Sequence, residues 1–386
     1  MINLIRKFTP LFLLDFYHLS LALLGAVLYW FPSRKLKVIG VTGTNGKSTV
    51  VYMIARILEE AGRKTASLSS IGFKIREKEW PNTLKMTMPG RFKIQKFLRR
   101  AVNAGCEYAV LEVTSEGIKQ YRHKFINFNT AVFTNLSKEH IERHGGFEKY
   151  KEAKGKLFQA CKNIHIINLD DLNAGYFLKF PANQKIVYGS ATSVKLDLKL
   201  PGEFNVSNAS AAIQVGLSQG VDSATCKKAV EKIENIPGRM EKIIGGQFSV
   251  IVDYAHTPAA LEKVYQTISG RKICVLGAAG GGRDKWKRPE LGKIAAQYCD
   301  EVIITNEDPY DEPPEQILED IAKGVPGAQK ILDRKEAIKR ALSLARPGDT
   351  VIITGKGSEM WMCVANGKKI PWSDKQTALD IFNGMK

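Results

Sequence analysis

Between an apolar run at Lys37–Val41 and an amphipathic stretch at Ser48–Ala61, the chain reads Gly43-Thr44-Asn45-Gly46-Lys47-Ser48-Thr49. Two glycines, a lysine and a hydroxyl at a strand-to-helix junction are what a phosphate cradle needs, because backbone N–H groups and a helix N-terminus then meet the oxyanions. Lys47 is placed to reach the β- and γ-phosphates, and the Ser48 hydroxyl to ligate Mg²⁺. A tight turn without a ligand has no use for Lys-Ser in sequence, so the loop reads as an ATP-binding P-loop. The first glycine of the common spelling falls at Val41, a departure from the usual pattern. Neither a guanine-reading NKxD nor an LSGGQ signature occurs, which argues against GTPases and transporter ATPases.

Elements able to hold such a loop follow from Leu36 onward, where short β-branched runs alternate with helical stretches, the pattern of a mostly parallel sheet covered by helices. Strands are expected at 37–41, 108–113, 131–134, 164–168, 249–253, 273–276, 301–305 and 350–354. Helices are expected at 48–61, 92–104, 147–160, 207–218, 258–269 and 289–298. The alternation restarts after Pro237-Gly238-Arg239. The expected architecture is α/β: a hydrophobic helix in residues 1–35, a P-loop central domain with a mostly parallel sheet in 36–238, and a Rossmann-like domain in 239–386.

With 386 residues, 44% hydrophobic and 25% charged, the chain has the apolar surface for two or three cores and is neither disordered nor fibrous. Its 57 Lys+Arg against 39 Asp+Glu give a formal charge of +18, which calls for anionic partners without choosing among them. The basic residues are scattered with no DNA- or RNA-reading motif, so nucleic acid is not expected. Six dispersed cysteines indicate neither a zinc ribbon nor a disulfide framework and suit a reducing, cytoplasmic setting. Leu11 to Phe31 is about the length that spans a bilayer, and Arg6, Lys7, Arg34 and Lys35 flank it. Asp15 and His18 interrupt the run and count against spanning. A helix packed on the following domain and an interfacial anchor on the inner face of the membrane are both open readings.

The GTNGKST spelling is accompanied, in order along the chain, by 111-LEVTS, 133-FTNLSKEH, 150-YKEAKGKLF, 204-FNVSNA, 237-PGRME, 252-VDYAHTP, 282-GRDKWKRP and 355-GKGSE. Together these resemble the Mur ligases, which build the stem peptides of peptidoglycan. The likeness is greatest to the MurE type, which adds the third amino acid to UDP-N-acetylmuramoyl-L-alanyl-D-glutamate. It runs from about residue 37 to the C-terminus. Such an enzyme phosphorylates a carboxylate with ATP and lets an amine displace phosphate. That chemistry needs metal ions and cationic side chains rather than a protein nucleophile.

The resemblance implies the residue roles. Gly43, Thr44, Asn45, Gly46, Lys47, Ser48 and Thr49 hold the phosphates. Glu112 joins Ser48 on a first Mg²⁺, His140 serves a second, and Lys154 is a carbamylated lysine supporting it. Asn205 and Asn208 face adenine, Arg239 follows the phosphates, and Asp253 with His256 lies on the ribose side. Thr87, Thr114, Gln120 and Arg122 hold a muramoyl-peptide acceptor, UDP- or lipid-linked. Arg283 takes the carboxylate of a free amino acid, whose distal amine meets Gly355 and Glu359, and Asp308 falls in the specificity segment Glu307-Asp308-Pro309-Tyr310. A monomer is expected.

Three departures qualify the resemblance. The family begins with a domain that holds the UDP moiety, whereas 36 residues precede the first strand here. Tyr310 stands where diaminopimelate-adding enzymes place the arginine of DNPR, so diaminopimelate is in doubt and a lysine-like ammonium is the alternative. Glu116 and Ser358 replace histidines. Two competing readings are a polyglutamate-type ligase and a non-catalytic, membrane-tethered nucleotide-binding subunit. Gln120, Arg122 and the GKGSE segment argue against the first, and Lys47, Glu112, His140 and Lys154 against the second.

Overall fold

The structure is a computed structural model that describes residues 10–385 except 85, 193 and 194, together with the backbone alone of Leu11, Phe12 and Thr192. Arg6 and Lys7 lie outside the described residues. The chain packs as two units. One reaches to Leu136 and takes up Glu148–Asp197 and Val206–Lys232; the other comprises Ser137–Phe147, Leu198–Asn205 and Ile233–Lys386.

The first unit is built on an eight-stranded sheet. Its strands are β1 (Lys37–Thr42), β2 (Thr65–Leu68), β3 (Gly72–Ile75), β4 (Lys78–Pro81), β5 (Tyr108–Glu112), β6 (Phe128–Phe133), β7 (Ile164–Asn168) and β8 (Gln184–Tyr188). They lie in the order β4-β3-β2-β5-β1-β6-β7-β8. All pairs are parallel except β2·β3 and β3·β4, which form an antiparallel edge. That edge escapes sequence reading because its strands are short and carry Lys74, Lys78 and Glu79, as edges exposed to solvent tend to. β1, β5, β6 and β7 bury nearly every residue, as parallel strands covered on both faces must.

Register decides what surrounds the P-loop. Val41 pairs with Glu112 on one side of β1, and Thr42 with Phe133 on the other. Both neighbours of β1 therefore end where the loop begins, and their next residues close on it. This is the C-terminal sheet edge, where ligands bind in open α/β sheets.

At the start of the unit, the helix Leu11–Leu28 packs on the helix Arg91–Asn103. Among the described residues no helix is long and apolar enough to cross a membrane.

The second unit has a six-stranded sheet made of β9 (Glu241–Ile244), β10 (Ser249–Asp253), β11 (Lys272–Leu276), β12 (Glu301–Ile304), β13 (Gln329–Lys330) and β14 (Thr350–Thr354). The order is β13-β12-β11-β14-β10-β9, parallel but for β9. One core face gathers Leu261, Tyr265, Leu276 and Ile352, and the other Val252, Val275, Ile338 and Ile353. Cys274 in β11 is bridged to Cys299 beyond the helix Lys287–Tyr298, Cα to Cα 6.1 Å. The wide cysteine spacing gave no sign of this pair, which the β-α-β crossover brings together.

Candidate active site

The helix Lys47–Glu60 starts at Gly46 with no side-chain cap, and a helix N-terminus favours an anion. Gly43 and Gly46 have φ of 150° and 82°. A Cβ at Gly43 would meet Thr134 Oγ1, and one at Gly46 would meet Asn208 Oδ1, so both positions need glycine for space as well as for backbone.

Residues just past β6 tie the loop down. Asn135 accepts the Thr44 N–H on its carbonyl at 2.8 Å and the Asn45 N–H on Oδ1 at 2.9 Å. Asn135 Nδ2 and Thr134 Oγ1 both donate to the Asn45 carbonyl, at 3.1 and 2.7 Å.

Ser48 Oγ donates to Glu112 Oε2 at 2.7 Å, the Ser70 N–H donates to the same oxygen at 3.0 Å, and the two serine hydroxyls are 2.7 Å apart. Lys47 Nζ is 3.9 Å from Glu112 Oε1 and donates to the Thr44 carbonyl at 2.7 Å. Glu112 is buried at the end of β5, as its place after an apolar run implied. A hydroxyl and a carboxylate make an all-oxygen donor set, which suits a small hard cation. Among the described residues no three His, Cys, Asp or Glu side chains could hold a metal together. Magnesium needs only one or two carboxylates, since it keeps waters and substrate phosphates as ligands.

Lys154 is not the solvated lysine that helix periodicity alone would suggest. It is buried, its Nζ donates to the Gly43 carbonyl at 2.6 Å, and it lies over the Tyr150 ring at 4.5 Å. Tyr150 OH in turn is 3.1 Å from Thr44 Oγ1. Lys154 thus stands directly behind the phosphate loop.

The residues expected to hold the acceptor converge in part. Arg122 reaches the Met88 carbonyl, Met86 Sδ at 3.6 Å and Gln120 Oε1 at 2.7 Å, so Gln120, Arg122 and the strand of chain containing Thr87 share one place. Thr114 acts locally, its Oγ1 capping the helix Ser115–Lys119 by accepting the Gly117 N–H at 3.1 Å.

In the second unit, Asp253 ends β10 with both oxygens taken by backbone, Oδ2 by the Met240 N–H and Oδ1 by the Ala255 N–H, each at 2.6 Å. Burial raises its pKa, while nearby Arg239 lowers it. Asp253 thus fixes the chain here with one backbone hydrogen bond on each oxygen. Arg239 lies over the Tyr254 ring, which also packs on His256. Asn205 Nδ2 donates to the Pro201 carbonyl at 2.7 Å.

The amino-acid residues cluster around an internal cation that sequence reasoning missed. Buried Lys356 Nζ donates to Asp308 Oδ1 and Glu359 Oε2, both at 2.8 Å, and to the Trp361 carbonyl at 2.7 Å. Asp308 also accepts the Cys363 N–H at 2.7 Å. The acidic pair is therefore engaged within the protein. Among the described residues, the neighbouring Glu307 is one carboxylate with a buried oxygen that has no hydrogen-bond partner; its Oε2 lies close to Gly355, and burial raises its pKa. Burial opposes the charge of Arg283, but Tyr254, Tyr310, Glu139 and Glu359 around it leave its pKa raised.

His140 (φ 57°) heads a short helix held to this second unit. Asp284 accepts the N–H groups of Ile141 and Glu142 at 3.1 and 3.0 Å, and Lys287 pairs with Glu139 at 2.9 Å, both side chains buried. The signal for that anchor was the 282-GRDKWKRP segment itself, whose acid and second lysine fold back on the His140 loop.

A P-loop with its serine on a strand-end carboxylate, followed by a second parallel α/β unit, defines a nucleotide-dependent enzyme of two α/β bodies. The chain belongs to the Mur ligase family: the Mur ligase middle domain matches residues 41–193, and the Mur ligase glutamate ligase domain matches residues 238–357. It is an ATP-dependent ligase that forms amide bonds, and its family uses ATP with a divalent cation.

One relative, from Syntrophomonas wolfei, is named as the ligase joining UDP-N-acetylmuramoyl-L-alanyl-D-glutamate to 2,6-diaminopimelate; it is 38% identical over 95% of this chain and 82% of its own. The UDP-N-acetylmuramyl-tripeptide synthetase of Roseiflexus is 35% identical over 93% and 81%. A solved diaminopimelate ligase of the same name is 32% identical, with a TM-score of 0.59 over 91% of this chain and 79% of that one. Folylpolyglutamate synthase from Mycobacterium tuberculosis has a TM-score of 0.73 at 18% identity, covering 87% of this chain and 92% of that one, a likeness of fold alone.

Proposed function

We propose that this ligase joins an amino acid to the free carboxylate of a UDP-muramoyl dipeptide in the cytoplasm, with Mg²⁺ and ATP. The observation that carries the reading is the Lys47–Ser48–Glu112 constellation at an uncapped helix start, on a chain 38% identical to a ligase named for that reaction. An oxygen of the acceptor carboxylate attacks the γ-phosphorus of ATP and ADP departs, leaving an acyl phosphate. The amine then attacks the carbonyl carbon, inorganic phosphate leaves, and the amine proton passes to solvent.

The helix N-terminus and Lys47 offset charge on the phosphoryl oxygens. Ser48 and Glu112 would hold the cation, which when bound neutralises phosphate charge. Lys154, as a carbamate, would present an anionic oxygen behind the loop, and His140 would serve a second ion. Gln120 and Arg122 grip the acceptor.

The amino acid we propose is a lysine-like diamino acid. Tyr310 offers no bidentate partner to a distal carboxylate, whereas the unpartnered Glu307 oxygen suits a distal ammonium. Incubating the enzyme with UDP-muramoyl dipeptide, ATP, Mg²⁺ and single amino acids, followed by mass spectrometry, tests this. A tripeptide product with lysine is expected, and a product formed with diaminopimelate alone would refute the specificity.

A further inference from the structure

The helix Leu11–Leu28 turns the wrong side to its own protein. Its inward stripe is small or polar: His18, Ala22, Gly25 and Ala26 are buried. Arg91 bonds His18, a Cβ on Gly25 would lie 3.5 Å from the Arg91 carbonyl, and Arg99 donates to the carbonyls of Tyr29 and Trp30 at 2.6 to 3.0 Å. Asp15, the acid within the run, is hydrogen-bonded to Tyr121. The large residues Phe16, Tyr17, Leu23, Leu24, Val27 and Leu28 face out at i, i+3/i+4, i+7 spacing, the reverse of a helix that packs by its apolar face. Phe16 is 70% exposed, and Trp30, just past the helix end, is 82% exposed. The two polar residues that interrupt the run in sequence are both engaged by the protein side. The outward stripe is apolar along the helix except at Ser20, which is exposed within it.

Charge names the occupant. Arg34 and Lys35, a few residues beyond the helix, are exposed, as are Lys93 and Lys96 on the helix beneath it, within a chain of net charge +18. An apolar stripe with an aromatic end and basic flanks matches a lipid surface carrying negative headgroups. Because the helix is packed lengthwise on Arg91–Asn103 and exposes only its other side, the contact is made by a helix lying flat. We propose that this face docks the enzyme on an anionic bilayer surface, with Phe16, Leu24 and Trp30 entering the acyl boundary and Arg34 and Lys35 meeting headgroups. The proposal rests on the exposed face and is independent of the substrate assigned above.

Flotation of the full chain with vesicles of phosphatidylcholine, with and without phosphatidylglycerol, is the test. Binding to the phosphatidylglycerol vesicles, weakened by salt, is expected. Phe16→Ser with Leu24→Ser should lower partitioning by about a hundredfold, from the apolar area each side chain would bury. Arg34→Gln with Lys35→Gln should lower it by about thirtyfold. These side chains are exposed, so both variants should keep the parent circular dichroism and melting temperature. No flotation with anionic vesicles, or equal flotation by parent and variants, would overturn the proposal. A dimer by light scattering that Phe16→Ser with Leu24→Ser abolishes, without vesicle binding, would overturn it too and give the face to a second copy.

Discussion

Replacing Lys287 by methionine tests how the segment carrying His140 is held. Lys287 Nζ lies 2.9 Å from Glu139 Oε1 and each side chain is 4% exposed, so the pair is not a surface bridge of negligible worth. Methionine keeps most of the volume and removes the cation 2.9 Å from the buried Glu139 carboxylate, leaving Arg283 as the nearby positive charge. Unit charges at that distance attract by about 6 kcal/mol at an effective dielectric near 20, from which desolvation must be subtracted. Breaking a buried pair by removing one partner costs about 3–5 kcal/mol.

The variant should therefore lose about 3 kcal/mol of stability at pH 7. Urea denaturation followed by tryptophan fluorescence reads this, with Trp286 adjacent to the change. Glu139→Leu combined with Lys287→Met should recover most of the loss, as removing both charges usually does. A single variant within about 1 kcal/mol of the parent at pH 7 would refute the reasoning.

Lys154→Ala should cut turnover by about a thousandfold or more, the scale of losing one group that stabilises developing charge, and abolish a carbamate signal in ¹³C NMR with labelled bicarbonate. Turnover within tenfold of the parent, or a signal that survives the substitution, would remove Lys154 from the chemistry. Tyr310→Arg should move the kcat/KM ratio of diaminopimelate to lysine upward by about tenfold or more, since it supplies a fork for the distal carboxylate; an unchanged ratio would contradict the proposed specificity. Burial pushes His123 down to about 3, so between the unfolded value and that point the unfolded chain binds the additional proton and acid destabilises the fold. The loss should approach 1.4 kcal/mol per pH unit below about 6.5. His123→Asn should flatten that slope in denaturation curves, and an equal slope would show that the imidazole is not responsible.

The P-loop was legible in sequence because its geometry is local, held in the consecutive residues Gly43 to Ser48. Glu112 and the parallel strands were legible for a related reason, since strands buried on both faces announce themselves as apolar runs. What escaped is long-range. Asn135 latches the loop through strand register, Lys356 occupies the acidic pair that looked open to a substrate ammonium, and Cys274 meets Cys299 only through a crossover. The charged hairpin β3–β4 hides because an edge strand must be polar. Asp15 and His18 looked like obstacles in a linear apolar run, and in three dimensions both are engaged by the protein side of the helix.

The most direct test of the ligase account follows an oxygen. Acceptor labelled with ¹⁸O in its free carboxylate is turned over with Mg²⁺, ATP and the amino acid, and the released phosphate is examined by mass spectrometry. An acyl phosphate requires one labelled oxygen to pass from the carboxylate to each phosphate formed. Phosphate released without label, at a rate matching amide formation, would contradict it.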